Sequence, residues 1–140
     1  RTRLGMLVYS VSWFNLPLKS PDGEDLMTRF SAEEQRFGVH GGQIETAMML
    51  ALKPRLVRQS KARDFASSSQ QRARDFALLG NGKSAKLAWA AQDLNPDGAA
   101  GNASAANVDD GLALVDAAGR ALAALLQEID RLPADTLRGR

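Results

Sequence analysis

The chain has 140 residues, enough for one domain with a hydrophobic core, and its 44% hydrophobic and 24% charged content argues against disorder. The net charge is only +2 and the basic residues are scattered, so nucleic-acid binding is not indicated. The sequence contains no cysteine and no run of about 18 apolar residues, which excludes disulfides, predicts no membrane span and fits a cytoplasmic location.

The first half of the chain predicts one strand and one clear helix. Residues 4–14 are rich in β-branched and aromatic side chains, which is typical of a β-strand. Residues 15–37 contain turn signals and predict a loop region with room for a short helix over 25–36. Residues 41–52 predict a helix that ends before Pro54, because four apolar residues recur there at helical spacing: Ile44, Met48, Ala51 and Leu52.

The second half predicts a further strand and a long helix. Residues 64–79 favour one more helix, and residues 85–94 favour a second strand, although their alanines fit a helix as well. Residues 107–132 predict the clearest helix, with Asn107 as its N-cap and Pro133 after its end. Alternating strands and helices predict an α/β layered domain over residues 1–133, followed by a polar tail at 134–140.

The residues best suited to chemistry surround His40, the one histidine of the sequence. An imidazole takes up and releases protons near neutral pH, and this one directly precedes a predicted helix. Gly41 and Gly42 leave the backbone bare for a substrate, and the first helical amides are donors that could hold a developing oxyanion. Glu45 lies about one turn further on, where it could orient the imidazole or bind a substrate amine.

Ordinary structural explanations exist for each of these residues. A histidine beside two glycines is also typical of a turn or a helix cap without a catalytic role. One histidine and one glutamate cannot complete a metal site, which typically needs about three protein ligands. The indole of Trp13 could form the wall of a pocket for a flat or cationic ligand, and packing on a strand explains it equally well.

Three segments resemble the creatininase family. His40–Thr46, followed by Met48–Pro54, resembles the HAG-x-x-ET-S segment of that family, which leads into a helix and a Leu-x-Pro step. Ser12–Phe14 resembles the family strand before the active-site loop, and Asp93–Asn102 resembles the Pro-x-Gly-x-x-Gly turn into the final helix. The Asn-Gly-His-rich motif of the family has no counterpart here. We therefore expect this chain to correspond to the C-terminal part of a longer family member.

The resemblance implies a fold and an activity. The fold is a three-layer α/β/α sandwich, of which this chain would form an incomplete C-terminal portion. The activity is metal-dependent hydrolysis of an amide or lactam C–N bond in a small substrate of the creatinine, formamide or peptide-precursor type. The resemblance also implies a pair of divalent ions, zinc or manganese, held mostly by ligands outside this chain, and a closed homo-oligomer.

The resemblance also implies roles for individual residues. His40 matches the family histidine that moves protons, and Glu45 is the second catalytic candidate. Trp13, Gly41 and Gly42 are the candidate substrate-binding residues. We expect this chain alone to be inactive. The alternative hypothesis is a truncated, non-catalytic domain that acts in subunit association through the apolar stripe of residues 107–132.

Overall fold

A computed structural model describes residues 6–80 and 85–136. The α-helices of this part are α1 (Ala32–Phe37), α2 (Gln43–Leu52), α3 (Ser68–Asp75), α4 (Ala91–Leu94) and α5 (Val108–Asp130). Its sheet consists of β1 (Asp64–Phe65) and β2 (Gly101–Asn102), which pair antiparallel with Asp64 opposite Asn102. The chain divides into two compact units: Leu26–Val115, and Arg1–Asp25 together with Asp116–Arg140.

The two predicted strands are not formed. Residues 6–12 have no regular secondary structure, and Trp13–Asn15 is a 3-10 turn; residues 4 and 5 lie outside the described part. Residues 86–90 are likewise irregular, and the remainder of the second predicted strand ends in the short helix α4. A β-strand forms only when it pairs with a neighbouring strand. The content of β-branched and aromatic residues reports a local preference and does not show whether such a neighbour exists. Without such pairing, apolar side chains of the two segments are exposed; Val8, for example, is 65% exposed.

The predicted helices are confirmed. α2 ends at Leu52, two residues before Pro54. The amide of the next residue, Lys53, donates a hydrogen bond to Met49 O at 2.8 Å and so closes the last turn. Its buried face is not the predicted stripe but Ile44, Ala47 and Leu50, while Leu52 is 53% exposed. Ile44 is buried as predicted, but the prediction was wrong about the other positions, because the buried side chains recur at i, i+3 and i+6 rather than at i, i+4, i+7 and i+8.

Helix α5 begins where its cap residue predicts. Asn107 Oδ1 accepts a hydrogen bond from Asp110 N at 2.9 Å, and Asp109 and Asp110 place negative charge at the positive end of the helix dipole. The first turns of α5 lie against α2, since a Cβ built on Gly111 would overlap the main-chain carbonyl of Ala47. Leu114 is buried on the same face.

Removing the cap side chain of α5 should destabilise the protein measurably. Asn107→Ala deprives an N-terminal amide of its acceptor, and we expect a loss of about 1 kcal/mol in the free energy of unfolding. Urea unfolding followed by circular dichroism at 222 nm measures this. Asn107→Ser is the matched control, because serine restores an acceptor and should recover most of the loss. Equal stabilities of the alanine and serine variants would contradict the capping role.

The second unit is ordered by a turn and by the later part of α5. Ser20 Oγ accepts from Glu24 N at 3.0 Å and donates to Asp22 Oδ1 at 2.7 Å around the Pro21–Gly23 turn. Arg120 of α5 donates to the carbonyl of Lys19 at 2.6 Å. Leu18 and Ala117 are buried. No helix in the described residues combines the length and the apolar character required to cross a bilayer.

Candidate active site

His40 lies in the loop between α1 and α2, and its main chain is fixed by residues distant in the sequence. His40 N donates to Ala100 O at 3.3 Å, and Ala100 N donates to His40 O at 2.7 Å, forming an isolated antiparallel bridge just before β2. Ala100 is fully buried, whereas His40 is exposed. The backbone of His40 is therefore held at the surface of the Leu26–Val115 unit while its imidazole stays accessible to a ligand.

Glu45 holds the turn that follows His40. Its Oε2 accepts a hydrogen bond from Gly41 N at 2.5 Å, and Thr46 Oγ1 donates to Gly41 O at 3.4 Å. Gly41 has a φ of 63°, in the left-handed region that a residue with a Cβ rarely adopts. The Glu45 carboxylate thus holds the main chain of the residue that follows His40. The amide of Gly41 was predicted to donate a hydrogen bond to an oxyanion, but in this structure it donates to Glu45.

The side chain of Glu34 is buried beneath this loop. Glu34 belongs to α1, and the residue is only 4% exposed. Oε1 accepts from Gln43 N at 2.6 Å, in the first turn of α2, and Oε2 accepts from Asn102 N at 2.8 Å, in β2. One carboxylate therefore binds the segment after His40 and the segment after its partner Ala100.

Three glycines make room for the Glu34 carboxylate. Cβ atoms built on Gly38 and Gly42 would overlap Glu34 Oε1, and one on Gly101 would lie 2.9 Å from it. The same Cβ on Gly101 would lie 2.7 Å from Gly42 Cα, so the main chains themselves are in close contact. A larger side chain at any of these positions would displace the carboxylate or the loop.

Glu34 escapes sequence-based reasoning for a physical reason. Ser31 and Glu34 have the spacing of a capping box, and Ser31 Oγ indeed accepts from Glu34 N at 3.0 Å. That spacing predicts that the glutamate caps its own helix, whereas its side chain instead binds α2 and β2. Both partners are main-chain amides, which every non-proline residue has, so no residue type marks them. The run of glycines around His40 was the one available signal.

The structure brings together four of the predicted site residues. His40, Gly41, Gly42 and Glu45 form one continuous segment, in which Gly42 is buried as the N-cap residue of α2. Trp13 belongs to the other unit, where its half-buried ring meets Phe14 edge-to-face at 5.9 Å between centroids. Its role as a substrate wall stays a prediction.

Residues that could hold a metal ion do not cluster in the described part of the chain. No group of three or more histidine, cysteine, aspartate or glutamate residues in 6–80 and 85–136 has a suitable arrangement. Both oxygens of Glu34 are occupied by amides, and Glu45 is directed at Gly41. The residues described here therefore do not themselves form a dinuclear centre.

Comparison with known proteins places the chain in a family and shows its fold. A family model described as creatininase, creatinine amidohydrolase, matches residues 8–126. The crystal structure named "Putative creatinine amidohydrolase from Bacteroides fragilis NCTC 9343" is similar with a TM-score of 0.64 and 24% identity over 91% of this chain. The match covers 44% of that structure, so this chain spans less than half of its length. A comparison with curated proteins found no match.

The family match includes all of the loop around His40 and both segments that Glu34 joins. The chain belongs to the creatininase family. The structural similarity shows that its fold is of the α/β type found in that family, as the sequence predicts, although the two strands expected at 4–14 and 85–94 are not formed.

Proposed function

We propose that the chain carries the acid–base part of an amidohydrolase that cleaves an amide or lactam C–N bond in a small substrate. The observation that supports this most is the loop of His40, an accessible imidazole on a main chain fixed at both ends by hydrogen bonds. Family membership supports a hydrolase at the general level. The substrate class, whether creatinine-like, formamide or peptide-precursor, is the finer part of the proposal.

The proposed role of His40 is proton transfer. When water adds to the amide carbon, a C–O bond forms and the water loses a proton; when the C–N bond breaks, the departing nitrogen gains one. The His40 imidazole accepts the first proton and delivers the second, which one group can do when it faces both atoms. Gly42 is buried against the Glu34 carboxylate, so of the two glycines only Gly41 is placed to contribute, and it offers its amide only when Glu45 releases it.

Glu45 supports His40 by holding the Gly41 turn. Glu45→Ala removes the acceptor of Gly41 N and should lower kcat about tenfold, because a loosened loop misplaces the imidazole. Glu45→Gln keeps an acceptor oxygen and should stay within about threefold of the wild-type kcat. Steady-state kinetics of the two variants measures the difference. Equal losses in both would mean that the negative charge, rather than the hydrogen bond, is required, as expected for binding a substrate amine.

The resemblance also implies two divalent ions, zinc or manganese. The described residues supply no ligand cluster for them, so no step above passes through a metal. We propose that a metal centre, where present, is completed by residues beyond those described. Such a centre would polarise the carbonyl and lower the energy needed to ionise the attacking water.

Metal analysis separates the enzyme from a non-catalytic domain. Inductively coupled plasma mass spectrometry would be applied to the 140-residue chain and to any longer product of its gene. About two divalent ions per protomer in the longer product, and none in this chain, would support the proposed enzyme. No metal in either would favour the association-only domain.

One observation favours association as a second function. Helix α5 carries large apolar side chains that are strongly exposed: Leu112 at 55% and Leu126 at 57%. Such side chains are typical of a subunit interface when they share a surface. A homo-oligomer is compatible with either function, and a cytoplasmic location remains a prediction from the absence of cysteine.

A further inference from the structure

We propose that Glu34 is a positioning residue that sets the place of the His40 imidazole by clamping both main-chain segments that flank the His40–Ala100 bridge. The expected effect of Glu34 on kcat rests on the proposed function, whereas its expected effect on the position of the imidazole does not. The clamp joins residues that are 9 and 68 positions away from Glu34 along the chain.

The hydrogen bonds show why one side chain has this effect. The bridge between His40 and Ala100 consists of two main-chain hydrogen bonds. Gln43 N, three residues after His40, donates to Glu34 Oε1. Asn102 N, two residues after Ala100, donates to Glu34 Oε2. The segments on the two sides of the bridge therefore share one rigid anchor. A planar carboxylate has two oxygens at a fixed separation, which suits this bridging better than any neutral side chain.

Burial makes the clamp sensitive to small changes. Glu34 is 4% exposed, and no lysine or arginine forms a salt bridge with it among the described residues. The amide donors therefore compensate the desolvation of the carboxylate, together with the N-terminal dipole of α2. The main chain at Gly38, Gly42 and Gly101 packs closely against the carboxylate, so a larger group at any of these positions cannot fit unless the carboxylate or the loop moves.

Glu34→Gln is the sharpest test. Glutamine has nearly the same shape but one acceptor oxygen, so its NH2 group must face one of the two amide donors. One segment should move away, and the His40 imidazole should move with it. The matched control is Glu33→Gln, which removes an exposed carboxylate from the same turn of α1.

The structural readout needs no activity. The imidazole Cε1–H signal of His40 is assigned in the NMR spectrum by its absence from the His40→Gln variant. We expect Glu34→Gln to shift or split this signal while the far-UV circular dichroism stays at the wild-type value, and Glu33→Gln to leave it unchanged. If Glu34→Gln fails to fold, Glu34→Asp keeps the charge but is one methylene shorter, so its oxygens cannot reach both amides, and it should shift the same signal.

The kinetic readout is a double-mutant cycle in the intact gene product. Glu34→Gln should lower kcat about tenfold to a hundredfold and change KM less than about threefold, as expected for a misplaced catalytic group. Added to His40→Ala, it should cause no further loss, because it acts through His40. An unchanged His40 signal in a folded variant, or additive kinetic losses, would overturn the proposal. A shifted signal in a protein without amidase activity would leave the clamp standing and reject the proposed function.

Discussion

His40→Ala should lower kcat for amide hydrolysis by about a hundredfold to ten-thousandfold, which is the range that a positioned acid–base group supplies. The side chain is exposed, and the bridge to Ala100 uses main-chain atoms alone, so the fold should be retained. The loss therefore reports on proton transfer. Steady-state kinetics of the intact gene product, with its metal content measured in parallel, gives the comparison.

The controls for His40→Ala separate chemistry from structure. The change in the free energy of unfolding should stay within about 0.5 kcal/mol, as for most surface substitutions. The metal content should equal that of the wild type, since His40 belongs to no ligand cluster in the described residues. Rates close to those of the wild type in a folded, metal-replete variant would refute the role of His40.

Gly111→Ala should be among the most destabilising single changes in the chain. A Cβ at this position would overlap the main-chain carbonyl of Ala47 and lie 3.1 Å from the Cβ of Ala51. Since neither a carbonyl in α2 nor a short side chain can move aside, α5 must shift away. We expect a loss of about 1–3 kcal/mol in the free energy of unfolding, by chemical denaturation.

Gly119→Ala is the matched control for this effect. It makes the same substitution in the same helix, but a Cβ there meets nothing within 4 Å. Alanine is a better helix former than glycine, so this variant should gain about 0.5–1 kcal/mol. Opposite signs at the two positions would establish close packing at Gly111. A stabilised Gly111→Ala variant would show that α2 and α5 are further apart than described.

Helices could be predicted from this sequence because their signals are local. Asn107 and Pro133 mark the ends of α5, and Pro54 follows α2, as the structure confirms. Strands could not be predicted in the same way. Residues 6–12 have the composition of a strand, but pairing depends on a neighbour that local composition does not reveal. The family resemblance nonetheless gave the correct fold type, because it compares whole segments rather than local preferences.

The candidate site shows the same difference between local features, which could be predicted, and contacts between distant segments, which could not. The His40–Glu45 segment is continuous in the sequence, so its residues had to lie together. The structure adds the contacts that hold it, which are the bridge from His40 to Ala100 and the hydrogen bond from Gly41 N to Glu45. Glu34 could not be found, because its partners are main-chain amides brought near by folding. Whether Trp13 joins the site depends on the placement of a separate unit, and its role stays a prediction.

The most direct test of the central claim is the rate at which the intact gene product hydrolyses small amides. Creatinine, an N-substituted formamide and a short peptide amide would be supplied with zinc or manganese, and release of the amine or opening of the ring would be followed. We predict that at least one of these is hydrolysed, at a rate that His40→Ala lowers by about a hundredfold to ten-thousandfold. No hydrolysis of any of them above the uncatalysed rate, by folded and metal-loaded protein, would contradict it.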